Sequence, residues 1–292
     1  MTGTTRVVID VDAMEWTPFG MDGLDIKVLR INDNYSYIDL FRAKGGIIGG
    51  GHVHIGEAEI YFLEGEVETI AGAAGKGYWV HEPAGAMHRA SKSFVGERTL
   101  VESISLNHVN GPIAMLNPDG TAGAIMFGQS LKAAITGDSK RLSGADLTEA
   151  MYREDYDSGI VDTAALDWAP SAYDGVSIKV MKVYEHGRFT VIVKAEDGAV
   201  IPIRRYTAPA DFFILSGCIK FEDGVEASSN FWVYEPMGAA EGAVTHIGET
   251  VYIATFLGAA IDLAADGSVE RVVDGDAIQR LWDEAALQPD RQ

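Results

Sequence analysis

The chain is poor in cysteine, proline and positive charge, and it has no long apolar run. Cys218 is the single cysteine among 292 residues, so no intrachain disulfide can form and packing has to hold the fold. No stretch approaches the ~18–20 consecutive apolar residues of a membrane-spanning helix. The opening residues also lack a basic segment followed by an apolar one. A cytoplasmic protein with no membrane partner is therefore expected. Lys and Arg number 23 against 43 Asp and Glu, a formal net charge of −20. That sign opposes a phosphate backbone, which argues against nucleic acid as a partner. Nine prolines are set against 33 glycines, a balance that suggests many tight turns and β architecture rather than a helical bundle. With 47% hydrophobic and 23% charged residues the chain can bury a sizeable core, and its length suits two domains or one duplicated unit.

The chain is a duplication. Residues 9–30 (IDVDAMEWTPFGMDGLDIKVLR) align without gaps on residues 161–182 (VDTAALDWAPSAYDGVSIKVMK) with nine identities, Trp16/Trp168, Pro18/Pro170 and Gly23/Gly175 among them. The offset of 152 continues through YFLEGEV and FILSGCI. It becomes 153 where WVHEPAGAMH meets WVYEPMGAAE, six of ten identical. Within each copy, short β-branched and aromatic runs such as IKVLRI, YSYIDLFRA and RFTVIVKAE are divided by Gly or Asp turns, so the fold class is mainly β. Two helical patterns close the copies, one carrying Phe127, Leu131 and Ile135 and the other Ile278, Leu281, Trp282 and Ala285 on one face. A further helix starting at Ser143 bridges them. The expected domains are residues 1–142, a helical linker at 143–160, and residues 161–292.

Four of the seven histidines fall between His52 and His88. His52 and His54 are two apart on an expected strand, so both imidazoles project from one face, as two ligands of one ion must. Glu59 is an odd step further on. A bulge at Gly56 would restore its direction and place Glu59, Tyr61 and Leu63 on the inner face. His88 follows a turn set by Pro83 and Gly85 that returns a fourth ligand to the same place. His81, whose counterpart is Tyr234, reads as structural, and His108, His186 and His246 read as surface residues.

These residues resemble the cupin superfamily. Its first motif, G-x5-H-x-H-x4-E-x6-G, is met by Gly46, His52, His54, Glu59 and Gly65, with one residue fewer before the last glycine. Its second, G-x5-P-x-G-x2-H, is met by Gly77, Pro83, Gly85 and His88. The resemblance covers both copies and implies two tandem cupin β-barrels. It also implies a metal held by His52, His54, Glu59 and His88, although some cupins use three histidines alone. At the ligand positions the second copy has Arg204, Tyr206, Asp211 and Glu241. One divalent metal per chain is therefore expected, with Arg204 paired to Asp211 or Glu241 in the vacated site.

Imidazole and carboxylate ligands suit Fe(II), Mn(II), Ni(II) or Zn(II), and no thiolate selects a softer ion. The expected cavity wall is Tyr61, Trp79, Met87 and Phe62 or Leu63, with Tyr61 orienting a metal-chelated oxygen and Glu59 and Tyr61 as the catalytic pair. HIGEAEIYFLEGE followed by WVHEPAGAMHRA is most similar to the cupins that include 2,4'-dihydroxyacetophenone dioxygenase, acetylacetone-cleaving dioxygenase and the ChrR-type anti-sigma factors. That similarity implies Fe(II)-dependent carbon–carbon cleavage of a small ketone, β-dicarbonyl or aromatic hydroxyketone, with O2 and the small molecule as partners and a homodimer as the assembly. The alternatives are a non-catalytic metal or ligand sensor, and a metal-dependent isomerase or lyase. The anti-sigma form would bring further Cys and His, which this sequence lacks.

Overall fold

The structure, a computed structural model, describes residues 5–20, 22–32, 36–69, 72–88, 95–117, 119, 121–126, 159–184 and 187–286. The helices expected over 127–135 and from Ser143 lie outside the described residues, as does His186. Antiparallel strands make up most of what is described, because runs such as Phe189–Ala195 and Ala210–Phe221 are dense in β-branched and aromatic side chains that pack on a pleated surface. Among the described residues no helix is long and apolar enough to cross a membrane.

Two compact units result. The N-terminal unit comprises Glu15–Ala165 and the C-terminal unit Met1–Met14 with Leu166–Gln292. Each is a pair of sheets, one of nine strands and one of four, so the barrel expected from the sequence is a two-sheet jelly roll. The main path of the large N-terminal sheet runs Gly159–Asp162, Tyr78–Glu82, Ala58–Thr69, Val95–Val109, Tyr37–Ala43, Leu24–Ile31, Thr17–Pro18. Its small sheet runs Met87–His88, His52–His54, Ile113–Leu116, Ala122–Met126. The C-terminal unit repeats both orders strand for strand, as far as Ala240–Glu241, Arg204–Tyr206, Ala260–Leu263 and Val269–Val273 in its small sheet. Helix α1 (Gly275–Ala286) is capped by Asp274, whose Oδ1 accepts the Ala277 N–H at 2.9 Å. It lays Ile278, Trp282 and Ala285 on the core of the C-terminal unit.

The units do not follow chain order, because the first strand of each copy pairs in the sheet of the other. Val7–Asp10 is an edge strand on Phe231–Glu235, and its repeat counterpart Gly159–Asp162 is an edge strand on Tyr78–Glu82. Glycine at one repeated position explains another feature of the motif. Gly65 and Gly217 sit at register shifts with φ of +78° and +79°, and a Cβ there would lie 2.1 Å and 2.4 Å from the carbonyl oxygens of Glu102 and Glu249. Only glycine tolerates both the conformation and the approach.

The exchanged strand brings a charge with it. Glu235 is 1% exposed and is ion-paired with Arg6 Nε. The guanidinium also lies 3.8 Å over the Phe221 ring and 3.2 Å from Asp223. Removing one partner of a buried pair strands the other charge. Arg6→Met is expected to destabilise the C-terminal unit by about 3–5 kcal/mol, read as faster hydrogen exchange at the Phe231–Glu235 amides. Unchanged protection there would show that Glu235 is neutralised by something else.

Candidate metal centre

Alternation along His52–His54 puts both imidazoles on one face and Val53 on the other, where it packs with Met87 and Leu116. His88 is the direct register partner of His52, so its ring joins the same face. The turn between them fixes that register. The Ala86 N–H donates to the Pro83 carbonyl at 2.9 Å, and Gly85, at φ +91°, donates its N–H to the His54 carbonyl at 2.6 Å. The His54 N–H returns a bond to the Ala86 carbonyl at 2.8 Å. The three rings stand with centroids 4.3 Å (His52 and His88), 4.9 Å (His54 and His88) and 5.1 Å (His52 and His54) apart. One nitrogen of each lies within 4.8 Å of the others.

These rings fit a metal ion. His52 Nδ1 is 3.1 Å from the Gly50 carbonyl, the tautomer-fixing contact that leaves Nε2 as the ligating nitrogen. His54 is buried with neither ring nitrogen hydrogen-bonded to the protein, a deficit of about 1–3 kcal/mol per unmet group that a bound cation would remove at the acceptor nitrogen. Burial, then the neighbouring His88, His52 and His81, hold its pKa well below the ordinary 6.5. It is therefore neutral at pH 7, the form that binds metal.

The trio opens onto a cavity of about 200 Å³ between the two sheets, walled by apolar side chains including Ile26, Phe41, Phe62 and Ile113. Ala58, Ile60, Phe62 and Val67 are the residues of their strand that face it. Glu59 and Tyr61 alternate to the opposite face, contrary to the arrangement the sequence suggests. Glu59 is buried in register between His81 and His108. The Tyr61 hydroxyl bonds to Thr163, and burial raises its pKa. The physical reason lies at Gly56. Instead of forming a bulge within one strand, it lies in the crossing from the small sheet, which ends at His54, to the large sheet, which begins at Ala58, and there it packs on Gly111, a Cβ lying 2.6 Å from the Gly111 Cα. Trp79 and Met87 are likewise absent from the cavity wall, which leaves Phe62 from the expected set. His108 and His246 are buried rather than on the surface, and His246 Nδ1 meets the Ala199 carbonyl at 2.9 Å. His81 is buried 3.4 Å from Glu57.

Two groups escaped the sequence reading. Glu82, fully buried and cross-strand from Ala58, sits 3.6 Å from His88 Nε2. Asp39 lines the cavity wall on the large sheet and accepts a 2.7 Å hydrogen bond from Asn107 Nδ2. Burial pushes its pKa up to about 7, with the Asn107 bond pulling the other way. The signal for Asp39 was available as a lone carboxylate in the apolar run YIDLF where the second copy has Val191.

The model of the ChrR cupin-like domain matches residues 4–109 and again 157–261, one match to each copy. The chain belongs to the ChrR cupin-like family. Solved structures agree on the tandem cupin arrangement. A dioxygenase candidate from Nostoc punctiforme superposes with a TM-score of 0.66 over 93% of this chain and 87% of its own, at 11% identity. Oxalate decarboxylase from Bacillus subtilis gives 0.54 over 88% and 78%, at 14% identity. At such identities the likeness speaks for the fold. No curated protein sequence matches the chain.

The second cupin of this family member keeps the turn and discards the ligands. Gly238, at φ +77°, donates to the Tyr206 carbonyl at 2.8 Å as Gly85 does to that of His54. Arg204 takes the place of His52, buried beside an apolar cavity of about 320 Å³. Its Nη2 donates to Asp262 Oδ1 at 3.0 Å and to the Tyr173 hydroxyl at 2.6 Å, while that hydroxyl donates to Asp262 Oδ2 at 2.6 Å. One partner seen here is Asp262, which stands in register where the first cupin has Met115; the Glu241 side chain, expected as a partner from the motif positions, lies outside the described residues. Burial raises the Tyr173 phenol to about 12. A fixed cation already neutralised by a carboxylate disfavours a divalent ion.

Asp39 yields a pH test with a definite sign. Its folded pKa of about 7 lies above the ordinary 3.8, so from pH 4 to 7 the unfolded chain is ionised there while the folded protein keeps the proton. Stability at this residue is full below the unfolded value and is lost as pH rises through about 7. Asp39→Asn should therefore gain on the wild type by about 2–3 kcal/mol between pH 5 and pH 8, measured by urea denaturation of both apo-proteins. His54 is common to both and cancels.

Proposed function

We propose that the N-terminal cupin is a mononuclear metal site, Fe(II) in the working enzyme, at which a small ketone, β-dicarbonyl or aromatic hydroxyketone is cleaved at a carbon–carbon bond by O2. The observation that carries this reading is a three-imidazole cluster, with its buried His54 held neutral, opening on a largely apolar cavity. His52, His54 and His88 would hold the ion. Three protein ligands leave coordination positions for other molecules, and the ion supplies Lewis acidity and, if redox-active, electrons for O2. The chain supplies the rest. Ile26, Phe41, Phe62 and Ile113 desolvate whatever enters and give hydrocarbon its place. Glu82, 3.6 Å from His88 Nε2, is the acidic group packed beside that ring.

The family and the Nostoc fold match are consistent with an oxygenase, although the argument rests on the site. The sensor and isomerase readings use the same ligands but consume no O2. Anaerobically loaded Fe(II) protein, given pentane-2,4-dione or 2-hydroxyacetophenone and then air in an oxygen electrode, should take up one O2 per bond cleaved. His54→Ala should lower that rate by about 100-fold or more, since loss of a supporting residue around a metal ligand alone costs about 10–100-fold. Metal-loaded protein that transforms either compound without O2 uptake would favour the lyase reading, and protein inert to both would count against the enzyme.

A further inference from the structure

The second copy is an internal control for the first, because the same large sheet has been built twice. Tyr37, Asp39 and Asn107 all line the first cavity. Register places Tyr37 opposite Val109 and Asp39 opposite Asn107. The matching pairs in the C-terminal unit are Phe189 with Phe256 and Val191 with Ala254. A phenol, a carboxyl and an amide in one copy are thus a phenyl, an isopropyl and a methyl in the other, with the strand order unchanged. The fold does not need these polar groups. It is penalised for them, since a carboxyl group buried in apolar surroundings resists ionisation and opposes folding above its shifted pKa. Polar groups kept against stability in a cavity wall signal a ligand.

The cavity has polar groups on opposite sheets, the imidazoles on the small sheet and, on the large one, the Tyr37, Asp39 and Asn107 patch beside the hydroxyl-bearing Thr99, Ser103 and Ser105, with apolar side chains making up most of the remaining lining. At about 200 Å³ it falls below the ~300–1,000 Å³ of pockets for drug-sized molecules. Asn107 occupies one carboxyl oxygen of Asp39, and a carboxyl group has a second. Tyr37 is near enough for the Asp39 charge to raise its phenol, after burial has done so.

We propose that Tyr37, Asp39 and Asn107 form an oxygen-recognition wall that holds one oxygen function of a small ligand bearing two, a hydroxyketone or the enol of a β-dicarbonyl, while the other reaches the ion at the histidines. This rests on the metal-site reading above and adds the group that selects and orients the substrate. A carboxyl group serves either member of the class, accepting from a hydroxyl when ionised and donating to a carbonyl when protonated. Asn107 holds it in place. A molecule with a single oxygen function and the same carbon skeleton leaves the wall unmet and binds less tightly.

Variants that import the second copy's own residues test the proposal with little risk to the fold. Asp39→Val, Asn107→Ala and the double variant would be loaded with Zn(II), which has no redox chemistry, and titrated calorimetrically with pentane-2,4-dione and with 2-hydroxyacetophenone. Each single variant should bind at least one probe about tenfold or more weakly than wild type with one zinc retained, and the double variant, which leaves neither Asp39 nor Asn107 without its partner, should keep thermal stability at or above that of wild type. Affinity within twofold of wild type in both single variants, failure of the wild-type zinc protein to bind either probe, or loss of zinc on replacing Asp39 would each overturn the wall. If the wild type binds no zinc, the metal reading fails first. Asp39-dependent binding to the zinc protein without O2 uptake by the Fe(II) protein would remove the oxygenase reading and leave the wall standing.

Discussion

The site depends on the cross-strand register that sets His88 directly opposite His52. A strand has a period of two, so one residue of slip would turn His88 away from His52 and His54 and bring Met87 in. The Pro83 to Ala86 turn prevents that slip by tying its amides and carbonyls to the His54 backbone on the neighbouring strand. The second motif glycine is part of this device, because the turn needs the positive φ found at Gly85. Backbone hydrogen bonds thus position the three imidazoles, and the large sheet behind them supplies a largely apolar cavity wall.

Duplication has separated scaffold from chemistry. Both copies retain the turn, the glycine at the register shift and the complete order of both sheets. What differs is the lining. Where the first copy spends stability on the unbonded His54 imidazole and a buried carboxyl group, the second closes its charges on one another through Arg204, Asp262 and Tyr173. The reciprocal exchange of first strands means that neither copy's sheet is complete from its own contiguous segment. Loss of residues 7–10 would remove an edge strand from the C-terminal unit.

The repeat, the β class and the three histidines were legible because they rest on local spacing. His52 and His54 follow from strand parity, and His88 from a turn whose residues are written in the sequence. Glu59 and Tyr61 were misplaced because parity was counted along one strand, whereas the chain changes from the small sheet to the large one between His54 and Ala58, which the local pattern does not show. Strand partners were similarly hidden, since nothing in the VVID of residues 7–10 says which sheet it will join. The burial of His108 and His246 follows from that same long-range pairing. Asp39 was recoverable, as it breaks an apolar strand that its repeat leaves intact. Glu82 was not, because Glu235 matches it and identity between copies looks structural.

The central claim is that one ion binds, in the N-terminal cupin, on three imidazoles. Anomalous diffraction from crystals of the protein saturated with Zn(II), collected on both sides of the zinc edge, locates ions without reference to activity. The account predicts one strong peak per chain, at bonding distance from His52, His54 and His88 and with no contribution from Glu59. A peak at Arg204 in the second cupin, or an ion in the first held through Glu59 with any of the three histidines unbound, would contradict it.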